Sequence, residues 1–179
     1  MNIHPIFVHF PIGLLVAYSI LELVAYAVPA PRKSSWLFSV RAFLLFSGVV
    51  TAFLALFTGG IAEDLVEATS PYAYVIELHS TFAGATTIIY LFLSLAYFVR
   101  TFDQKEWCSR MVMMQGFLGW WWRMKIGAAN LILDTWLLPT LALVGLLSIT
   151  ITGGLGAVIV YGPNIDPFVS FIYHLFFAR

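Results

Sequence analysis

The sequence predicts an all-α integral membrane protein: a four-transmembrane-helix bundle with an interfacial amphipathic helix between spans three and four. Three observations lead there. Of 179 residues, 61% are hydrophobic and 10% charged, against roughly 45–50% apolar and 25% charged in a soluble domain. Four stretches reach the roughly 20 apolar residues that a helix needs to cross a hydrocarbon core of about 30 Å. The basic residues, finally, gather in alternate connections between those stretches.

The expected spans cover residues 5–28, 36–62, 72–99 and 136–161 of a single membrane domain, 1–179. The first ends at Pro29-Ala30-Pro31-Arg32-Lys33. The fourth is stopped by Gly162-Pro163-Asn164, and Pro167 resists its continuation. Pro11 either kinks the first span or marks its true start. Residues 111–133 are apolar but broken by Arg123, Lys125 and Asn130, and Trp120-Trp121-Trp122 suits a headgroup boundary. An interfacial helix is the better reading of this stretch than a fifth span.

With four spans, Arg32, Lys33, Arg41, Arg100, Lys105, Arg110, Arg123 and Lys125 fall on one side, and Arg179 on the other with both termini. The positive-inside rule then places both termini on the periplasmic or extracytoplasmic face of a bacterial inner membrane. Glu63, Asp64, Glu67, Glu77 and Asp166 share that outer side. The first span has no basic residue before it and exceeds a signal h-region, so it is expected to be retained. A formal net charge of zero gives nucleic-acid binding no electrostatic basis. Cys108 is the single cysteine, which excludes an intrachain disulfide, a CxxC pair and a CxxCH haem attachment.

Small and polar residues mark faces on which membrane helices approach. His9, Gly13 and Ala17 form such a stripe in the first span; Ser47, Thr51, Ala55, Thr58 and Ala62 in the second. His79, Ala83 and Thr87 do so in the third, and Gly145, Ser148, Thr152 and Gly156 in the fourth. Helix packing alone accounts for most of these. The four histidines, His4, His9, His79 and His174, all lie toward the outer side. His9 and His79 enter their spans to depths matched within a few ångströms at ~1.5 Å per residue. Each has a small residue one turn deeper, a pattern that suits ligation of a planar macrocycle between helices. A bland reading stands beside it, in which each histidine is an interfacial anchor or a hydrogen-bonded packing residue. A divalent-metal site built from His4, His9, His79 and Glu63 is a weaker alternative, because His4 and His9 lie roughly 140° apart on a regular helix.

Glu22 is the acid buried deepest in an apolar span, and such groups mark function by default. An interhelical pair with Arg32 or Arg41, or a neutral hydrogen-bonded acid, is the preferred reading over a proton relay. GxSxG, P-loop and Rossmann glycine patterns are absent from the sequence. Gly153-Gly154-Leu155-Gly156 lies inside a span and suits close packing rather than a phosphate.

His4-Pro5-Ile6-Phe7-Val8-His9-Phe10-Pro11-Ile12 resembles the opening signature of a bacterial membrane family, the domain of unknown function 2231 family. Thr58-Gly59-Gly60-Ile61-Ala62-Glu63 resembles its second-helix end, His79 its third-helix histidine, and Gly153 to Gly162 its fourth-helix end. The connector at 103–134 is longer than that family's pattern and is a candidate docking surface. The resemblance implies four membrane helices and, through relatives found beside redox components, haem binding.

The leading expectation is therefore a membrane-bound electron-transfer protein. It would bind b-type haem near the outer face, with His9 and His79 as ligands to the iron and His4 and His174 as substitutes. A redox partner protein and a quinol are its expected partners, and a chlorophyll on a single histidine is a minor variant. The alternative is a non-enzymatic accessory or structural subunit of a larger respiratory or photosynthetic membrane complex. A third reading, a small transporter, draws on Glu22 and the glycine-rich fourth span. The lack of a visible internal repeat weighs against it.

Overall fold

The computed structural model describes residues 4–28, 34–66, 72–104 and 116–177. The stop at Pro29 to Lys33, Cys108, Glu67, Lys105, Arg110 and Arg179 lie outside them. The described residues form six helices: α1 (His4–Ala27), α2 (Ser35–Val66), α3 (Ala73–Gln104), α4 (Phe117–Asp134), α5 (Leu137–Tyr161) and α6 (Pro167–Phe177). Four of these, α1, α2, α3 and α5, are long and apolar enough to cross a membrane.

These four helices form a ring. Helix α1 packs on α2 and α5, and α3 packs on α2 and α5, so α1 and α3 face each other across the diagonal. Helix α4 lies against α3 and α5, and α6 against α5. One end of the bundle carries His4 and His79; the other carries Arg41 and Arg100. They are called here the histidine end and the arginine end.

Helix α1 runs unbroken through Pro11, which is buried. The ring nitrogen has no hydrogen to offer the carbonyl of Phe7, a loss that neighbouring helices make tolerable. The buried stripe of α1 is Pro11, Leu15, Tyr18, Ser19, Glu22 and Ala25, which follows the 3.6-residue period. Large residues thus face inward from this helix. Glycines on neighbours make room for large side chains: a Cβ on Gly48 of α2 would clash with Leu15 of α1, and one on Gly145 of α5 would meet Tyr90 Cζ of α3 at 2.7 Å. Leu15, Leu45, Val49, Tyr90, Leu93 and Tyr97 fill the arginine half of the core, and Val75, Leu155, Val158, Val169 and Ile172 the histidine half.

Helix α6 was not expected from the sequence. Its start is built by Asp166, whose Oδ1 accepts from the backbone N–H of Phe168 (2.8 Å) and Val169 (2.9 Å), with Pro167 at the first helical position, where a missing N–H costs nothing. Val169 and Ile172 are buried, Ile172 against Gly154. Proline therefore begins a new helix here instead of only ending the old one. Asp166→Ala is expected to cost about 1 kcal/mol, read as faster amide exchange confined to residues of α6.

Candidate functional site

The interior carries polar groups at successive levels from one end of the bundle to the other. At the histidine end His4 of α1 meets Thr58 of α2, Nδ1 to Oγ1, at 3.1 Å. The Thr58 hydroxyl donates to the carbonyls of Leu54 (3.0 Å) or Ala55 (3.1 Å). His79 of α3 donates from Nδ1 to the carbonyl of Thr152 on α5 at 2.9 Å, and because a carbonyl only accepts, its Nδ1 carries a hydrogen. Each imidazole sits over a glycine of the facing helix. A Cβ on Gly59 would lie 3.1 Å from His4 Cε1, and one on Gly156 would lie 3.2 Å from His79 Cε1.

One level further in, Thr86 of α3 bonds Ser148 of α5 at 2.7 Å and reaches Thr152 Oγ1 at 3.5 Å. Next, Ser19 of α1 and Tyr90 of α3 bond across the diagonal at 2.7 Å. At the arginine end Glu22 of α1 takes two donors: Arg41 Nη1 of α2 at 2.8 Å and the hydroxyl of Tyr97 of α3. Arg41 Nε donates to the carbonyl of Leu37 at 3.3 Å. Glu22 and Arg41 are 2% and 4% exposed, so this ion pair is held without water on most sides. The interhelical partner expected for Glu22 is thus Arg41; Arg32 lies outside the described residues.

Tyr18 stands between the last two levels. Its ring meets Tyr90 and Tyr97 edge-on, with centroids 6.1 and 6.0 Å apart. Its hydroxyl is buried beside the Glu22 carboxylate and the Tyr97 hydroxyl, without a well-formed hydrogen bond to either. Such groups are rare in folded proteins and call for an explanation.

The sequence stripes are only partly interior. Gly145, Ser148, Thr152 and Gly156 do line the bundle. Thr51 and Thr87 return their hydroxyls to their own helices, on Ser47 and Ala83 carbonyls, so that Thr87, although buried, is satisfied without a neighbouring helix. The α1 stripe is reversed. His9 is exposed and donates from Nδ1 to the carbonyl of Pro5, 2.7 Å away on its own helix. Gly13 is exposed too, with nothing near a Cβ placed there. His4, not His9, points inward, because it shares the face of Pro11, Leu15, Tyr18 and Glu22. His174 lies exposed on α6 beside Tyr173.

The fold and its interior define a four-span helical membrane protein with an ion-paired polar core. The family model described as Predicted membrane protein (DUF2231) matches residues 1–166, and the chain belongs to that family. No curated protein and no solved structure matches the chain.

These findings correct the expectation of a haem-binding electron carrier. His9 and His79 do not share an interior face: one points out of the bundle and the other into it. Among the described residues no group of three or more His, Cys, Asp or Glu is placed to hold a metal ion. The family's description carries neither haem nor electron transfer. The physical reason is the direction of α1. Its inward face was read from small residues, but it is set by the large polar ones that pair across the bundle. The family-resembling segments do converge, through different atoms: His4 on Thr58 and Gly59, and His79 on Thr152 and Gly156.

Proposed function

We propose that this protein moves protons across the bilayer along its polar interior. What carries the reading is the succession of proton-bearing groups between the two ends: the imidazoles of His4 and His79, then Thr86 with Ser148, Ser19 with Tyr90, and Tyr97 with Glu22 and Arg41. Ionisable groups inside membrane spans are costly and pair toward the interior where a path for charge is needed. Tyr18 supports the reading further, since its ring lies against Tyr90 and Tyr97 and its buried hydroxyl stands beside Glu22 and Tyr97 without a well-formed bond to either, as a rotor in a relay would. Each hydroxyl passes its proton onward and accepts another from behind, each imidazole takes a proton on one nitrogen and gives one from the other, and the Glu22 carboxylate takes one up and releases it, so no group changes its net charge once the proton has left. By the positive-inside rule the arginine end faces the cytoplasm of a bacterial cell and both termini the outside. The amphipathic α4, with Trp120 and Trp121 exposed, then lies along the inner headgroup boundary.

The test uses purified protein in liposomes loaded with a pH-sensitive dye, with a potassium diffusion potential as driving force. Proton entry above that of protein-free vesicles is expected. Tyr18→Phe removes a hydroxyl that makes no well-formed hydrogen bond, so it should change thermal stability little while slowing entry several-fold. Entry no faster than in empty vesicles would overturn the proposal, as would a Tyr18→Phe protein that conducts like the parent.

A further inference from the structure

The arginine end holds a cavity of about 80 Å³ whose walls include Phe38, Arg41, Tyr97, Arg100, Asp134 and Leu138. A second, of about 10 Å³, is lined by Glu22 and Arg41. Arg41 thus lines both spaces, and its carboxylate partner lines the smaller. The larger space exceeds the roughly 10–15 Å³ that one water needs, and it is polar enough to keep water, which stays out of purely apolar voids. Arg100 makes the same point independently. It donates from Nη2 to Asp134 Oδ2 at 2.5 Å, yet its Nε is buried with no partner among the described residues. A buried guanidinium N–H without a protein acceptor is normally met by ordered water.

The pair lies at the rim. The Asp134 side chain is 59% exposed and that of Arg100 20%, whereas those of Arg41 and Glu22, deeper in, are 4% and 1%. It also ties the last residue of α4 to α3, and both residues line the cavity.

We propose that this cavity is a hydrated vestibule, closed at its rim by the Arg100–Asp134 pair, that brings water to Tyr97 and Arg41. It rests on the proton-handling reading for its purpose, since it supplies the aqueous end of the column. Its hydration is a separate physical fact with its own measurement.

Hydroxyl-radical footprinting of the protein in liposomes marks side chains that have water beside them. Tyr97 and Tyr90 are both buried, at 1% and 0% exposure, but only Tyr97 lines the vestibule. Tyr97 and Phe38 should be modified several-fold faster than Tyr90. Asp134→Asn weakens the rim pair and should raise modification of Tyr97 several-fold again, while Tyr90 stays protected. Tyr97 as protected as Tyr90 in both proteins would overturn the vestibule. So would equal modification of both tyrosines, which would mean water throughout the core. A wet vestibule in a protein that passes no protons would sink the conduction reading and leave this one standing.

Discussion

Glu22→Leu is expected to destabilise the bundle by about 3–5 kcal/mol, because it leaves Arg41 buried and unpaired. The same change also strips Tyr97 of its acceptor. Among the described residues Glu22–Arg41 is the ion pair whose two side chains are both buried. A neutral hydrogen bond between membrane helices is worth about 0.6 kcal/mol on average, so losing Thr86–Ser148 or Ser19–Tyr90 should be felt far less. The pair itself is a weaker source of stability than its breakage suggests, since desolvating two charges offsets most of their attraction. Removing both partners at once, in Glu22→Leu with Arg41→Leu, should therefore recover most of the loss. Thermal unfolding in detergent checks the cycle. A double variant as unstable as the sum of the single ones would show that the two side chains act separately, against the geometry found here.

The second large effect is steric. Gly145→Val puts a branched side chain where even a Cβ would lie 2.7 Å from the Tyr90 ring and 3.0 Å from its hydroxyl. That ring is fully buried, is wedged against Tyr18 and is bonded to Ser19, so it has no free direction in which to yield. Overpacking of this kind costs about 1–3 kcal/mol, to which loss of the Ser19 bond adds. Gly13→Ala is the contrasting case. Gly13 has nothing within 4 Å of a new Cβ, and alanine favours a helix over glycine by about 1 kcal/mol. The two variants should move the thermal midpoint in opposite directions. A drop for Gly13→Ala would mean that this face is covered after all.

The class of this protein is written in its sequence because a bilayer imposes it. Long apolar stretches have no other means of satisfying their backbone in lipid than to form helices. Four helices long and apolar enough to cross a membrane are accordingly found, within His4–Ala27, Ser35–Val66, Ala73–Gln104 and Leu137–Tyr161. Glu22 also announced itself, since an acid in such a stretch must find a partner. Helix α6 was legible in principle: Asp166-Pro167 ahead of an apolar run is a helix-start signal, but it had been read only as a stop.

Which face of each helix looks inward was a different matter. Small residues are needed wherever helices approach, but they also tolerate lipid, as Gly13 does, so a small-residue stripe does not determine a rotation. In α1 the rotation was decided by Ser19 and Glu22, each of which had to meet a group on another helix: Tyr90 for Ser19, Arg41 and Tyr97 for Glu22. Those partners lie 19 to 75 positions away in the chain, and no local spacing encodes them. Once they set α1, His4 turned in to Thr58 and His9 turned out to the surface. The sequence by itself determined that this chain is a four-span membrane protein of its family with a costly acid at its heart. Only the tertiary structure decided which histidine faces the interior, because the helix rotation follows from the long-range pairing of buried polar groups and not from the pattern of any one span.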